Sequence, residues 1–333
     1  METRPALSCC HICLLLKKKP TDSIKLKVRK SDFSLEINEK IFQIKFEEFV
    51  ADPLTLMGLK TTERYLNFRI QVEPKFTLKS VVLSEPTPPF ATGDSARLTC
   101  LCFNHLTKEI FFERVLPLPS NDVNLSDMFC HLHNAPTTES ILSPKPGDCF
   151  FSDQVVAVSE GTITGCYKKQ QFLKCKRCLA TVGVIRNKSL NFWTSCLHMA
   201  SGNLSSLERL QNIVKKVVSD PFALFPHILL EAEETENYLS VIVIDKNLIL
   251  TKCRQDLNPS SKQVVKVKYT YYPSYNTQVK SLKSDPFSNL HHIEVDKAFL
   301  EYALTYLTCN SKSIPLVFSK MEGAFMAYLN LYD

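Results

Sequence analysis

Alternation of apolar and polar side chains, the mark of a strand with one buried face, runs through much of this chain. Ile24-Lys25-Leu26-Lys27-Val28 alternates, Ile41 to Phe46 is apolar and rich in β-formers, and Tyr65 to Val72 alternates again before Pro74. Ser23 to about Leu83 is therefore expected to form a meander of antiparallel strands. Glu85 to Phe90 (EPTPPF) breaks the pattern. Ala96 to Phe103 then places Leu98, Cys100 and Cys102 on one face, with Glu109 to Val115 as its hairpin partner across Asn104-His105-Leu106-Thr107.

From Arg114 to Asp153 neither period is evident. This stretch holds five of the 18 prolines, Cys130 and Cys149, and the pair His131 and His133, between the apolar anchors Val115-Leu116-Pro117-Leu118-Pro119 and Cys149-Phe150-Phe151. A long irregular loop inside a compact domain usually serves function. Leu116, Pro117, Leu118, Pro119, His131, Cys149 and Phe150 are thus candidate partner-binding residues.

Strands resume at Gln154 to Val158, Leu179 to Arg186 and Leu190 to Trp193. Ser205-x-x-Glu208 is a capping-box pattern, and Leu207, Leu210, Val214, Val217 and Val218 follow at helical spacing until Asp220-Pro221 stops them. Beyond lie a short helix at Phe222 to Ala232 and a hairpin of Tyr238 to Ile244 with Leu248 to Lys252 over Asp245-Lys246-Asn247. A strand at Val264 to Tyr271, a helix at Val295 to Leu307 and a strand at Phe325 to Leu331 complete the pattern. The expected class is α+β: an N-terminal segment at 1–20, a β-rich domain at 21–202 that holds the loop 114–153, and an α+β C-terminal domain at 203–333.

Composition narrows the function. A content of 44% hydrophobic and 22% charged residues is ordinary for globular chains, and a net charge of +6 spread thinly gives little reason to expect direct nucleic-acid binding. No apolar run approaches the roughly 18 residues that cross a bilayer, so no membrane partner is expected. Ala6 to Leu16 is apolar but contains Cys9, Cys10, His11 and Cys13 and meets Lys17-Lys18-Lys19-Pro20 without a small-residue cleavage site. It is not read as a signal peptide, and the 13 cysteines are read as reduced thiols of the cytoplasm or nucleus. With eight glycines the chain has no GxGxxG, GxxxxGK[ST] or GxSxG, and HExxH is absent. Dinucleotide binding, P-loop chemistry and the hydrolase elbow lose their signatures.

The clearest chemical pattern is Cys102-x-x-His105 with Cys175-x-x-Cys178, two ligand pairs at the spacing of a tetrahedral zinc site, with Cys100 and Cys166 in reserve. Such a zinc would clamp the two ends of the intervening loop; the competing reading is unrelated core or surface cysteines. Cys130-His131-Leu132-His133 lacks the carboxylate and third histidine of a metal hydrolase. Cys130 is either a thiolate ligand offered to a partner's zinc or a solvated loop cysteine. Cys309 and Cys253 are the candidate acceptor thiols of the C-terminal half, though neither has a neighbour that marks a base. Lys266-x-Lys268-Tyr269-x-Tyr271-Tyr272 is the sole cluster that would suit a zinc-ribbon RNA binder.

Several runs together resemble a known family: RVLPLPS from Arg114, Phe129-Cys130-His131, Gly147-Asp148-Cys149-Phe150, Cys175-Lys176-Arg177-Cys178, Leu300-Glu301-Tyr302-Ala303-Leu304 and Ala324-Phe325-Met326-Ala327-Tyr328-Leu329. From about Cys100 onward the chain is similar to the HECT-like ubiquitin-protein ligases of the third class, which bind ubiquitin-conjugating enzymes and include a yeast protein important for polyadenylation. The resemblance implies a ubiquitin-protein transferase that accepts ubiquitin from a conjugating enzyme. It also implies binding to the zinc endonuclease of mRNA cleavage and polyadenylation, blocked or chaperoned by Cys130 at its active site. Two positions depart from the family pattern: His105 stands where a cysteine is usual, and Phe299 stands where a cysteine often precedes Leu-Glu. A non-enzymatic zinc-stapled interaction protein or a zinc-ribbon RNA binder is the alternative.

Overall fold

β-Branched and aromatic residues in alternation build strands that pair across long stretches of sequence. The computed structural model describes residues 1–16, 24–37, 40–62, 64–75, 77–83, 85–118, 143–186, 188–199, 202–220, 223–254, 257–284 and 289–332. The N-terminal strands are β1 (Glu2–Arg4), β2 (Cys9–Leu15), β3 (Lys25–Val28), β4 (Asp32–Ile37), β5 (Lys40–Lys45), β6 (Phe49–Thr62) and β7 (Tyr65–Pro74). β3, β4 and β5 form the expected antiparallel meander. Phe33 of β4 packs against Phe46 and Phe68, which ties this small sheet to β7.

The middle of the chain supplies β8 (Ser95–Ala96), β9 (Ile110–Phe111), β10 (Arg114–Pro117), β11 (Asp148–Phe151), β12 (Val155–Ser159), β13 (Cys166–Lys169), β14 (Phe172–Cys175), β15 (Thr181–Arg186) and β16 (Ser189–Trp193). Seven of these form one sheet in the order β10-β11-β12-β16-β15-β14-β13. The hairpin expected between Ala96–Phe103 and Glu109–Val115 narrows to β8 and β9, because the chain already turns at Phe103.

Helix α1 (Ser206–Val218) follows, with the capping box of Ser205 and Glu208 in place. Then come β17 (His227–Ala232), β18 (Asn237–Arg254), β19 (Leu257–Tyr272), α2 (Thr277–Ser284), β20 (Leu290–Glu294), α3 (Lys297–Ser311), β21 (Lys320–Met321) and β22 (Ala324–Leu329). A ten-stranded sheet runs β21-β22-β19-β18-β1-β2-β7-β6, with β17 joined to β18 and β20. Leu210, Val214 and Val217 of α1 meet Phe299, Ala303 and Leu307 of α3 in a core shared with β17, β18, β19 and β22. The α+β class holds: three helices among the described residues and otherwise mainly sheet.

Two expectations give way, and one sheet draws strands from both halves of the chain. The helix expected at 222–232 is not formed by its described residues, 223–232; His227–Ala232 is a strand paired with β18 and, in parallel, with β20. A strand buried on both faces is a continuous apolar run, which periodicity cannot separate from a buried helical turn. The hairpin over Asp245-Lys246-Asn247 is instead a bulged stretch of the single strand β18. There Asn247 N donates to Asp245 Oδ1 at 3.1 Å, a turn-like bond absorbed within the ladder. Finally, the strands of 2–15 and 49–74 join the same sheet as the C-terminal half, since the far part of β18 pairs with β1 (Glu2↔Leu250, Thr3↔Ile249). The segment 1–20 and the boundary at 202/203 therefore do not divide this sheet.

Candidate metal centre

Two turns far apart in sequence meet in space. In the first, Leu106 N donates to Leu98 O (2.8 Å), Cys100 N to Asn104 O (2.9 Å) and Phe103 N to Cys100 O (2.7 Å). In the second, between β14 and β15, Cys175 N donates to Ala180 O (2.9 Å) and Leu179 N to Cys175 O (3.0 Å). Each turn places a left-handed residue directly after its second cysteine, Phe103 at φ 65° and Leu179 at φ 60°. Arg177 Nη1 joins the turns by donating to Cys102 O at 2.7 Å.

Cys100, Cys102, Cys175 and Cys178 come together here, with all four sulfurs within 4.8 Å of one another. Cys100 and Cys178 are 3.7 Å apart at sulfur, Cys102 and Cys175 3.6 Å. Four thiolates at about 2.3 Å from one tetrahedral ion would stand about 3.8 Å apart, so the spacing suits such an ion. Burial would raise the Cys175 thiol, but the N–H groups of Cys178 and Arg177 and the amide of Asn104 (Nδ2 to Sγ, 3.3 Å) bring it down to about 6. Burial and neighbouring thiols hold Cys100 well above the ordinary range. A cation placed among the four sulfurs would favour their thiolate forms.

His105 is not in the group. It pairs across its turn with Thr99, with Nδ1 3.1 Å from Thr99 Oγ1, so it shares the face of Thr99 and not that of its neighbour Cys100. Cys100 takes the expected place of His105, and the same-face alternation of Cys100 and Cys102 was the signal for it. Cys166, the other reserve, pairs with Cys175 in the ladder but points its Sγ at Leu106 O. Sequence reasoning also missed Asn104 and Gly165. Gly165 O accepts from Asn104 Nδ2 (2.7 Å) and Lys176 N (3.0 Å), while Gly165 N donates to Leu106 O (3.1 Å).

The strands that flank the segment expected to be a loop are β10 and β11, paired in parallel and locked by Arg114, whose Nε and Nη2 donate to Asp148 Oδ1 (2.8 Å) and Oδ2 (2.7 Å). They lie at one end of the seven-strand order, and the cysteine turn between β14 and β15 lies near the other. Cys149 is fully buried and Phe150 nearly so, and burial pushes the Cys149 thiol up to about 12. Both are core residues of β11 and not a surface for a partner. Leu116 and Pro117 are exposed and Leu118 is half-buried. Pro119, Cys130, His131 and His133 lie outside the described residues.

Cys309 falls in the last turn of α3 and is exposed. The Cys253 side chain lies outside the description. Phe299, ahead of Leu300-Glu301, is 2% exposed and belongs to the core beneath α3.

The fold and its paired cysteine turns define a β-rich protein with three helices among the described residues and four thiols close enough to hold one metal ion. A model of the HECT-like ubiquitin-conjugating enzyme (E2)-binding family matches residues 2–325. The chain belongs to that family and is a ubiquitin-ligase-like protein that interacts with a conjugating enzyme. Searches of curated proteins and of solved structures return no match.

Proposed function

We propose that this chain docks a ubiquitin-conjugating enzyme on a scaffold braced by zinc and receives ubiquitin on Cys309. One observation carries the assignment of the acceptor. Among the described cysteines outside the four-thiol group, Cys9, Cys10, Cys149 and Cys166 are buried, Cys13 and Cys196 are half-buried, and Cys309 alone is exposed. In the transfer, the Cys309 thiolate attacks the thioester carbonyl of the charged conjugating enzyme. A new S–C bond forms, the old one breaks, and the departing thiolate takes up the proton that Cys309 released. Zinc is the ion that four thiolates favour in a closed structural site; Cys100, Cys102, Cys175 and Cys178 would hold it. The test is incubation with a charged conjugating enzyme. A thiol-reducible ubiquitin adduct should form on the wild-type chain and vanish in Cys309→Ala; an absent wild-type adduct, or one that persists in the variant, refutes the assignment.

A second reading concerns the segment between β10 and β11. Supported by the family resemblance and by the ion-paired frame of Arg114 and Asp148, it is that Cys130 is offered to the zinc of the mRNA cleavage and polyadenylation endonuclease, with the protein working in cytoplasm and nucleus. Inhibition of that nuclease should weaken in Cys130→Ser, and unchanged inhibition refutes it.

A further inference from the structure

Strain and exposure coincide at the tip of the cysteine turns. Phe103 and Leu179 have left-handed backbone, a region that glycine and asparagine enter at least cost and that bulky side chains disfavour. Both are also exposed, by 68% and 62%, and Leu101 beside them is 53% exposed. Holding a metal requires neither a phenylalanine nor a leucine at these positions. Backbone strain of this kind gathers at functional surfaces, and here it comes with apolar side chains turned toward solvent.

The tip is also rigid. Arg177 bonds the first turn from the second, and Asn104 bonds Cys175 and Gly165 from the first, so the two apolar turns are held as one surface. The Phe103 ring lies 5.2 Å from that of exposed His198. Lys176 and Arg177 border the tip, both exposed, and their side chains donate to the backbone carbonyls of Thr164 and Cys102. An apolar centre with a cationic rim matches a partner whose apolar contact is edged by carboxylates.

We infer that Leu101, Phe103 and Leu179, rimmed by Lys176 and Arg177, form the docking surface for the ubiquitin-conjugating enzyme. This rests on the conjugating-enzyme binding proposed above and locates it on the chain. Turns already cross-linked in this way lose little backbone freedom on binding.

The test uses the full chain and a purified conjugating enzyme, with affinity measured by calorimetry. Asparagine tolerates left-handed backbone, so Phe103→Asn with Leu179→Asn should keep the metal and leave the melting temperature unchanged or higher. Binding should weaken by about tenfold or more. Leu101→Gln, at a position without left-handed backbone, should weaken it in the same direction. Leu224→Asn with Phe225→Asn, at another exposed apolar pair, should leave affinity intact. Unchanged affinity in the tip variants, or an equal loss in the control pair, overturns the docking surface while conjugating-enzyme binding stands. If the wild-type chain binds none of a panel of conjugating enzymes, the underlying reading fails and the docking surface with it.

Discussion

Gly165→Ala should force the two cysteine turns apart. A Cβ on Gly165 would lie 1.7 Å from His105 O, 2.8 Å from its carbonyl carbon and 2.9 Å from Asn104 Nδ2. Ordinary heavy-atom contact begins near 3.5 Å, so one backbone must retreat by about 1.5 to 2 Å. The nearest interactions are Gly165 N to Leu106 O (3.1 Å), Lys176 N to Gly165 O (3.0 Å) and Asn104 Nδ2 to Gly165 O (2.7 Å). Losing two of them costs about 1 kcal/mol each, added to about 1 to 3 kcal/mol for overpacking. The expected loss is about 3 to 5 kcal/mol, a large part of the roughly 5 to 15 kcal/mol that holds a domain folded. Urea unfolding followed by the fluorescence of Trp193, the single tryptophan and a buried residue of the same sheet, would measure it. Gly161→Ala is the control, since nothing lies within 4 Å of its added Cβ. A Gly165→Ala chain within about 1 kcal/mol of wild type, with its metal intact, would refute the reasoning.

Two further perturbations read other parts of the fold. Burial alone would raise the carboxyl of Glu231, but hydrogen bonds and charge from His292 and Lys283 outweigh it and hold the carboxyl at about 2, against 4.5 in the unfolded chain. Its stabilisation is therefore complete above about pH 4.5 and lost as pH falls toward 2. The melting temperature of Glu231→Gln should vary less across that window than that of wild type, and parallel curves would contradict the assignment. Ser205→Ala removes the side chain that accepts from Glu208 N at 3.2 Å and should cost about 1 kcal/mol in the same urea assay; no loss would mean that α1 does not depend on its cap.

How much of this was readable from the residues depended on whether the signal was local. The capping box at Ser205 and the stripe from Leu210 to Val218 carry their own start, face and stop, and α1 runs from Ser206 to Val218. At α3 the expected span, Val295 to Leu307, misses both the cap of Asp296 on Phe299 N and the last turn to Ser311. Pairing across the chain has no such local mark. Nothing in Glu2-Thr3-Arg4 announces that it will lie beside Leu250 and Ile249, and the apolar run at 227–232 fits a helix as well as a central strand. The metal centre was half legible. Cys175-x-x-Cys178 and Cys102 followed from spacing, whereas the choice of Cys100 over His105 follows from the pairing of His105 with Thr99 across the turn, which Cys-x-x-His spacing does not show. The burial of Cys149 likewise followed from a parallel partner 34 positions upstream, Val115.

Metal content of the full chain and of two variants tests the metal centre most directly. Elemental analysis should find about one zinc per folded wild-type chain, the same in His105→Ala, and little or none in Cys100→Ala. A fully folded wild-type chain without zinc, or zinc that departs with His105 and stays without Cys100, would contradict the four-thiol centre on which the cysteine turns and their docking tip are built.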